Sequence, residues 1–252
     1  MRKNFFITAD DFGISKPVNE AIVNLLLKNK IDYATLIVNL NGFEDAVDKI
    51  KKYSLENKIG FHFNLTWGKP VSKNLKKIVD KNGYFLNLKK LYFASLFKNI
   101  KDEVEKELKA QIKKFENSGL KLNFMTGHQY IELFPQIGEI YFKFAIKNKI
   151  KVRFPLEKSK TNLKKGIRKL LFNLHLLRFK NKVLKNELNM SKIFFGSLHA
   201  GEIEKDLIKT WLENSIYPKE ILVHPGFPSE NKFDKLNKKR EKEYKILLEM
   251  EF

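Results

Sequence analysis

The chain has no cysteine among its 252 residues. That excludes a disulfide framework, a thiolate metal site and a cysteine nucleophile, so any metal must be held by His, Asp or Glu. Long apolar runs are missing as well, since none approaches the roughly 20 residues of a membrane span. The amino terminus, MRKNFFITADDFG, carries two basic residues and an apolar run shorter than the roughly 7–15 residues of a secretory signal. The expectation is a soluble cytoplasmic protein. Arginine is scarce: only Arg2, Arg153, Arg168, Arg178 and Arg240 stand among 49 Lys and Arg residues. A formal charge of +20 made of lysine does not point to specific nucleic-acid recognition, which favours the planar guanidinium fork. It fits nonspecific attraction to anionic surfaces.

What the chain does have is apolar material, 43% of residues with 22 Phe, enough for one large core at this length. No repeat or low-complexity linker divides it, so residues 1–252 are expected to form a single domain. Strand and helix patterns alternate. Strands are expected at Asn4–Thr8, Ala34–Val38, Ile59–Leu65, Leu120–Met125, Lys151–Phe154, Ile193–Leu198 and Ile221–His224. Ser15 is placed to cap a helix over Val18, Ile22, Leu25 and Leu26. Further helices are expected at Phe43–Tyr53, over Val104, Leu108, Ile112 and Phe115 up to the stop at Gly119, at Ile137–Asn148 and at Leu207–Glu213. Such alternation predicts an α/β fold with a mostly parallel sheet, and at this length a distorted (β/α) TIM-like barrel. The site of such a fold lies at the carboxyl ends of the strands.

Polar residues that can carry chemistry fall where that rule puts them. Asp10 and Asp11 follow the first strand, His62 lies in the third, and His128 follows the fourth. Arg153 sits in the fifth and His224 ends the last. Asp11, His62 and His128, one carboxylate and two imidazoles, suit a divalent ion with open positions. Their spacing alone does not fix this, because each histidine also reads as a buried, hydrogen-bonded strand residue. Asp10 reads either as a general base beside the metal or as a cap on the next turn. In ILVHPGFP, Pro225 biases His224 toward extended backbone, which holds the ring at the rim as a proton donor or as an incidental turn residue.

The segments TADDFGIS, GFHFNLTWG, TGHQYIELFP, VRFP and VHPG occur in the order seen in the YdjC-like carbohydrate deacetylases, and the chain resembles that family. The resemblance runs from about Asn4 to Pro155 and returns at VHPGFP. It implies a distorted (β/α) barrel holding one divalent ion, Mg or Zn, through Asp11, His62 and His128. It also implies Asp10 as base, His224 as acid, and Arg153 orienting a carboxylate or steadying an oxyanion. The reaction implied is removal of an N-acetyl group from an acetamido sugar, free or lipid-linked, by attack of a metal-bound water. The chain departs from the family at Phe124, Thr126, Tyr130 and Glu132, which replace expected His or Asp positions. An alternative is therefore a catalytically weakened glycan- or glycolipid-binding protein on the same barrel.

Two histidines stand outside this set. His175 lies in a basic helical stretch, and His199 follows a strand, where it reads as a substrate contact or a helix-entry hydrogen bond. The divergent basic segment at about 160–190 carries Leu163, Ile167, Leu170, Leu174, Leu177, Leu184 and Leu188 at helical spacing. Such a stripe packs on the core or lies on an anionic membrane surface. The aromatic, basic stretch YFLNLKKLYFASLFKNI fits the same two readings, and a homodimer is compatible with the sequence.

Overall fold

The computed structural model describes residues 4–155, 170, 174, 176–181, 183–230 and 234–252. Seven strands form one sheet: β1 (Phe5–Phe12), β2 (Tyr33–Leu36), β3 (Ile59–Phe63), β4 (Phe124–Gly127), β5 (Lys151–Val152), β6 (Ile193–Phe195) and β7 (Lys219–Val223). Their order is β5-β4-β3-β2-β1-β7-β6, and every neighbouring pair is parallel. The chain leading into β6 meets the opposite edge, because Val152 N donates to Leu188 O at 2.8 Å and Met190 N donates to Val152 O at 3.0 Å. The sheet thereby curls into the distorted barrel expected of the sequence.

Helices α1 (Lys16–Leu27), α2 (Phe43–Lys52), α3 (Leu88–Phe97), α4 (Lys101–Asn117), α5 (Pro135–Asn148), α6 (Lys205–Leu212) and α7 (Asn237–Glu249) accompany the strands. The stripes read from sequence are the buried ones: Val18, Ile22, Leu25 and Leu26 in α1, and Val104, Leu108, Ile112 and Phe115 in α4. They join Ile7, Ala9, Phe61, Phe63, Met125, Ile221 and Val223 of the sheet in one core. Ser15 stands at the N-cap of α1, but its side chain makes no capping bond, and a proline in the first turn presets the helical φ instead.

Several boundaries differ from the sequence expectation. β1 runs on to Phe12, so Asp10 and Asp11 lie inside the strand rather than after it. β4 begins at Phe124, because Leu120–Asn123 stay outside the ladder and Asn123 N bonds Lys121 O in a turn. Arg153 and His224 stand just past the ends of β5 and β7. α7 was not expected, and α3 was read only as part of an aromatic, basic stretch without helix bounds. His175, Leu163 and Ile167 lie outside the described residues.

Candidate active site

Successive residues of a strand ordinarily point to opposite faces, so neighbouring carboxylates should not share a site. Here the β1–β2 register shifts between Ala9 and Phe12, and Asp11 adopts φ 72°. This bulge with one left-handed residue turns both carboxylates to the same rim. His62 Nε2 lies 3.7 Å from Asp10 Oδ2 and 3.6 Å from Asp11 Oδ1. Gly13 (φ +90°) completes the turn, where a Cβ would stand 2.4 Å from Ile37 O.

Two buried arginines make the close pair tolerable. Arg153 Nη1 and Nη2 donate to Asp10 Oδ2 and Oδ1 at 2.6 and 2.9 Å, and Thr35 Oγ1 donates to Oδ1 at 2.7 Å. The far edge of Arg153 is anchored by Glu220 through Nε at 2.9 Å. Arg240 Nη2 donates to Asp11 Oδ2 at 2.6 Å, while its Nε holds Asp234 at 2.6 Å. Burial pushes both carboxyls upward, but the opposing charges, Arg153 beside Asp10 and Arg240 beside Asp11, outweigh it. Asp10 is held below the ordinary carboxylate range and Asp11 well below it.

The histidines are oriented from behind. His62 Nδ1 shares a hydrogen bond with Thr126 Oγ1 at 2.6 Å. His128 Nδ1 lies 2.9 Å from Thr66 Oγ1 and 3.1 Å from Asn64 Oδ1. Both Nε2 atoms face Asp11 Oδ1, at 3.6 Å from His62 and 3.8 Å from His128. Those gaps are too wide for hydrogen bonds, and among the described residues no such group is already drawn to ligand distances. The donor set nonetheless fits a divalent ion: three donor atoms converge, and the other ring nitrogens are occupied by fixed partners. Burial lowers the His128 pKa to about 3, so its ring is neutral and needs to lose no proton to bind a metal.

The loop behind His128 is fixed by α4. Glu107 accepts from Val71 N at 2.9 Å and Ser72 N at 2.8 Å, and Gln111 Nε2 donates to Asn64 O at 2.7 Å. Trp67 of that loop presents its edge to His128, with ring centroids 4.6 Å apart. A cleft of about 530 Å³ opens here, lined by Trp67, Tyr84, Asn87, Lys90 and Gln129. Gln129 and Tyr130 are both left-handed, with φ 56° and 60°. This costly backbone places Gln129 at the cleft and packs Tyr130 against Phe194.

His224 is only partly buried, and it lowers the pKa of both Asp10 and Asp11. Its buried Nδ1 has no hydrogen-bond partner among the described residues. Its backbone N donates to Glu243 Oε2 at 2.6 Å, and Gly201 N donates to Glu243 Oε1 at 2.6 Å. Glu243 and Arg240 share one face of α7, so that helix fixes both His224 and Asp11. His199 turns its ring to the edge of Trp211 at 5.6 Å, and its carbonyl accepts the turn bond from Glu202 N.

Glu132, one of the departures from the family pattern, packs its carboxyl over Gly127, where a Cβ would lie 1.8 Å from Oε2. Among the described residues no side-chain donor reaches it. Burial raises its pKa to about 8, so it is held protonated at neutral pH.

The YdjC-like protein family model matches residues 4–252. The chain belongs to that family. A carbohydrate deacetylase of Brevibacillus brevis is 36% identical over 149 residues, which make up 59% of this chain and 58% of that protein. A carbohydrate deacetylase of Oceanobacillus iheyensis is 26% identical over 231 residues, 89% of this chain and 86% of that one. An Enterococcus faecalis structure, described as a cellobiose-phosphate cleavage protein, superposes with a TM-score of 0.77 at 20% identity. The match covers 98% of this chain and 91% of that one, and it shows the shared fold.

All six residues singled out from the sequence meet at this rim. Sequence reasoning passed over Arg240, Asp234 and Glu243, whose helix looks like a solvated charged run. It also passed over Thr35, Asn64 and Thr66, which are too common to signal anything. One signal did exist, because arginine retained in a lysine-rich chain marks places where a two-pronged donor is needed.

Proposed function

We propose that the protein is a metal-dependent carbohydrate deacetylase that hydrolyses the N-acetyl amide of an acetamido sugar. The observation that carries this reading is the convergence of His62 Nε2 and His128 Nε2 on Asp11 Oδ1 beside an Asp10 held ionised by Arg153. Asp11, His62 and His128 would hold one divalent ion, Mg or Zn. When bound, that ion would polarise the amide carbonyl and lower the pKa of water toward neutrality.

Asp10 accepts the proton of the attacking water, and the Arg153 clamp keeps its carboxylate aimed and charged. His224, which stands at the rim just past the end of β7, gives a proton to the departing sugar amine. Trp67 and the cleft beside His128 seat the sugar. The names of the family relatives support the same chemistry. The reading places the enzyme in the cytoplasm, with a sugar rather than a nucleic acid as its partner. Neither a homodimer nor a membrane is needed for the chemical step.

The test is acetate release from acetamido mono- and disaccharides and lipid-linked glycans, before and after chelation and with Mg or Zn restored. Release that stops on chelation and returns with metal is expected. Full activity in the stripped protein would refute the reading. Stoichiometric metal with no release from any sugar would favour a glycan-binding protein, for which the altered residues around His128 are the reason.

A further inference from the structure

α3 is half a core helix and half an open apolar face. It buries Leu91, Ala94 and Ser95, yet leaves Phe93 57% exposed, Leu96 41% and Phe97 79%. The Phe93 and Phe97 rings stack in the open, 6.3 Å apart and 14° from parallel. Leu96 and Phe97 form one wall of a groove of about 690 Å³ whose other wall includes Arg178 and Phe179. Leu170, Leu174 and Leu177, at helical spacing just before Arg178, are also more than half exposed. Clusters of large apolar side chains left in water mark an interaction surface.

Charge identifies the partner. The sequence has no acidic residue between Asp80 and Asp102, and none between Glu157 and Glu187. Lys89 and Lys90 in α3, Lys98 at its end and Arg178 in the groove are exposed. Among the described residues the one carboxylate lining the groove, Glu139, is paired with Lys101 at 2.8 Å. A second copy of this chain would bring the same lysines against one another across the face. An anionic lipid surface would instead attract every one of these basic residues while taking up the aromatic and leucine side chains.

We propose that α3, with the side chains of Leu170, Leu174 and Leu177, forms a docking surface for an anionic phospholipid bilayer. No helix among the described residues is long and apolar enough to cross a membrane, so the contact is superficial. The first turn of α3, at Leu88 and Lys90, lines the cleft beside Trp67 and Gln129. At 1.5 Å per residue, roughly 10 Å separates Lys90 from Phe97 along the helix. Docking therefore sets the cleft mouth close to the headgroups, where a glycan carried on a lipid is within reach. That last consequence rests on the deacetylase reading, whereas the docking itself does not.

The test is co-sedimentation of the full chain with phosphatidylcholine vesicles, with and without phosphatidylglycerol, at low and high salt. Phe93→Ser/Phe97→Ser and Lys98→Glu are the variants, with thermal melts to verify folding. Binding only to anionic vesicles is expected, weakened at least tenfold by either variant and by salt, with acetate release from soluble sugars unchanged. Absent binding, or equal binding to neutral vesicles that the variants do not alter, would overturn the proposal. So would a dimer, seen by sedimentation velocity, that the Phe93→Ser/Phe97→Ser variant splits and that leaves vesicles unbound. Vesicle binding without acetate release would sink the deacetylase reading and leave the docking surface standing.

Discussion

Arg240 reaches from the C-terminal helix to Asp11, 229 positions earlier in the chain, and its Nη2 donates to Oδ2 at 2.6 Å. The other oxygen of the same carboxylate faces both histidines. Arg240 thus fixes which oxygen is offered to a metal. Its own geometry is fixed by Asp234, so a lysine at this position cannot hold both carboxylates. Arg240→Gln is expected to weaken Zn or Mg binding about 10–100-fold, measured by calorimetric titration of the stripped protein. Unaltered metal affinity in a folded variant would contradict the assignment.

Asp10 and Asp11 should separate cleanly by substitution. Asp11→Asn should abolish stoichiometric metal, because a neutral amide is a poor ligand for a divalent ion. Asp10→Asn should keep the metal and lose about 10²–10⁴-fold in kcat, the range for removing a general base. Metal content by emission spectroscopy, read beside acetate release, makes the comparison. Loss of metal in both variants to the same degree would show that the pair acts as one binding unit.

Among the described residues Thr126 is the one side-chain partner of His62 Nδ1, at 2.6 Å. A hydroxyl polarises an imidazole less than a carboxylate does, and the family resemblance leads to the expectation of His or Asp at Thr126. Thr126→Val should reduce metal affinity by roughly tenfold or more through loss of ring orientation. Thr126→Asp should raise it if the ring keeps its place. Calorimetric titration with the same ion checks both directions.

How much of this was legible depends on what kind of signal each residue leaves. His62 stands out because a polar ring interrupts the apolar run of β3, and Asp10 and Asp11 because paired charges end an apolar segment. The α7 contribution left no such mark. Arg240 and Glu243 sit in NKKREKEYKILLE, where charge at nearly every position reads as a solvated face. Only the choice of arginine over lysine set Arg240 apart. The bulge at Asp11 was hidden for another reason, since a single left-handed aspartate is set by tertiary pairing with β2. α3 was hidden because its exposed Phe93 and Phe97 erase the polar stripe that an amphipathic helix normally shows.

The buried Glu132 predicts a pH dependence of stability whose sign is opposite to that of Asp10 and Asp11. Its folded pKa is about 8, from burial, against an ordinary value of 4.5. The native state therefore keeps a proton that the unfolded chain releases, and stability falls as pH rises. The contribution is fully present below about pH 4.5, declines through neutrality and is gone above about pH 8. Glu132→Gln keeps the shape and removes the titration, so its urea midpoint should vary less than that of the parent between pH 6 and 8.5. Its advantage over the parent should be largest at the alkaline end. Equal slopes for the two proteins would mean that Glu132 is ionised in the native state, with a donor that holds its charge.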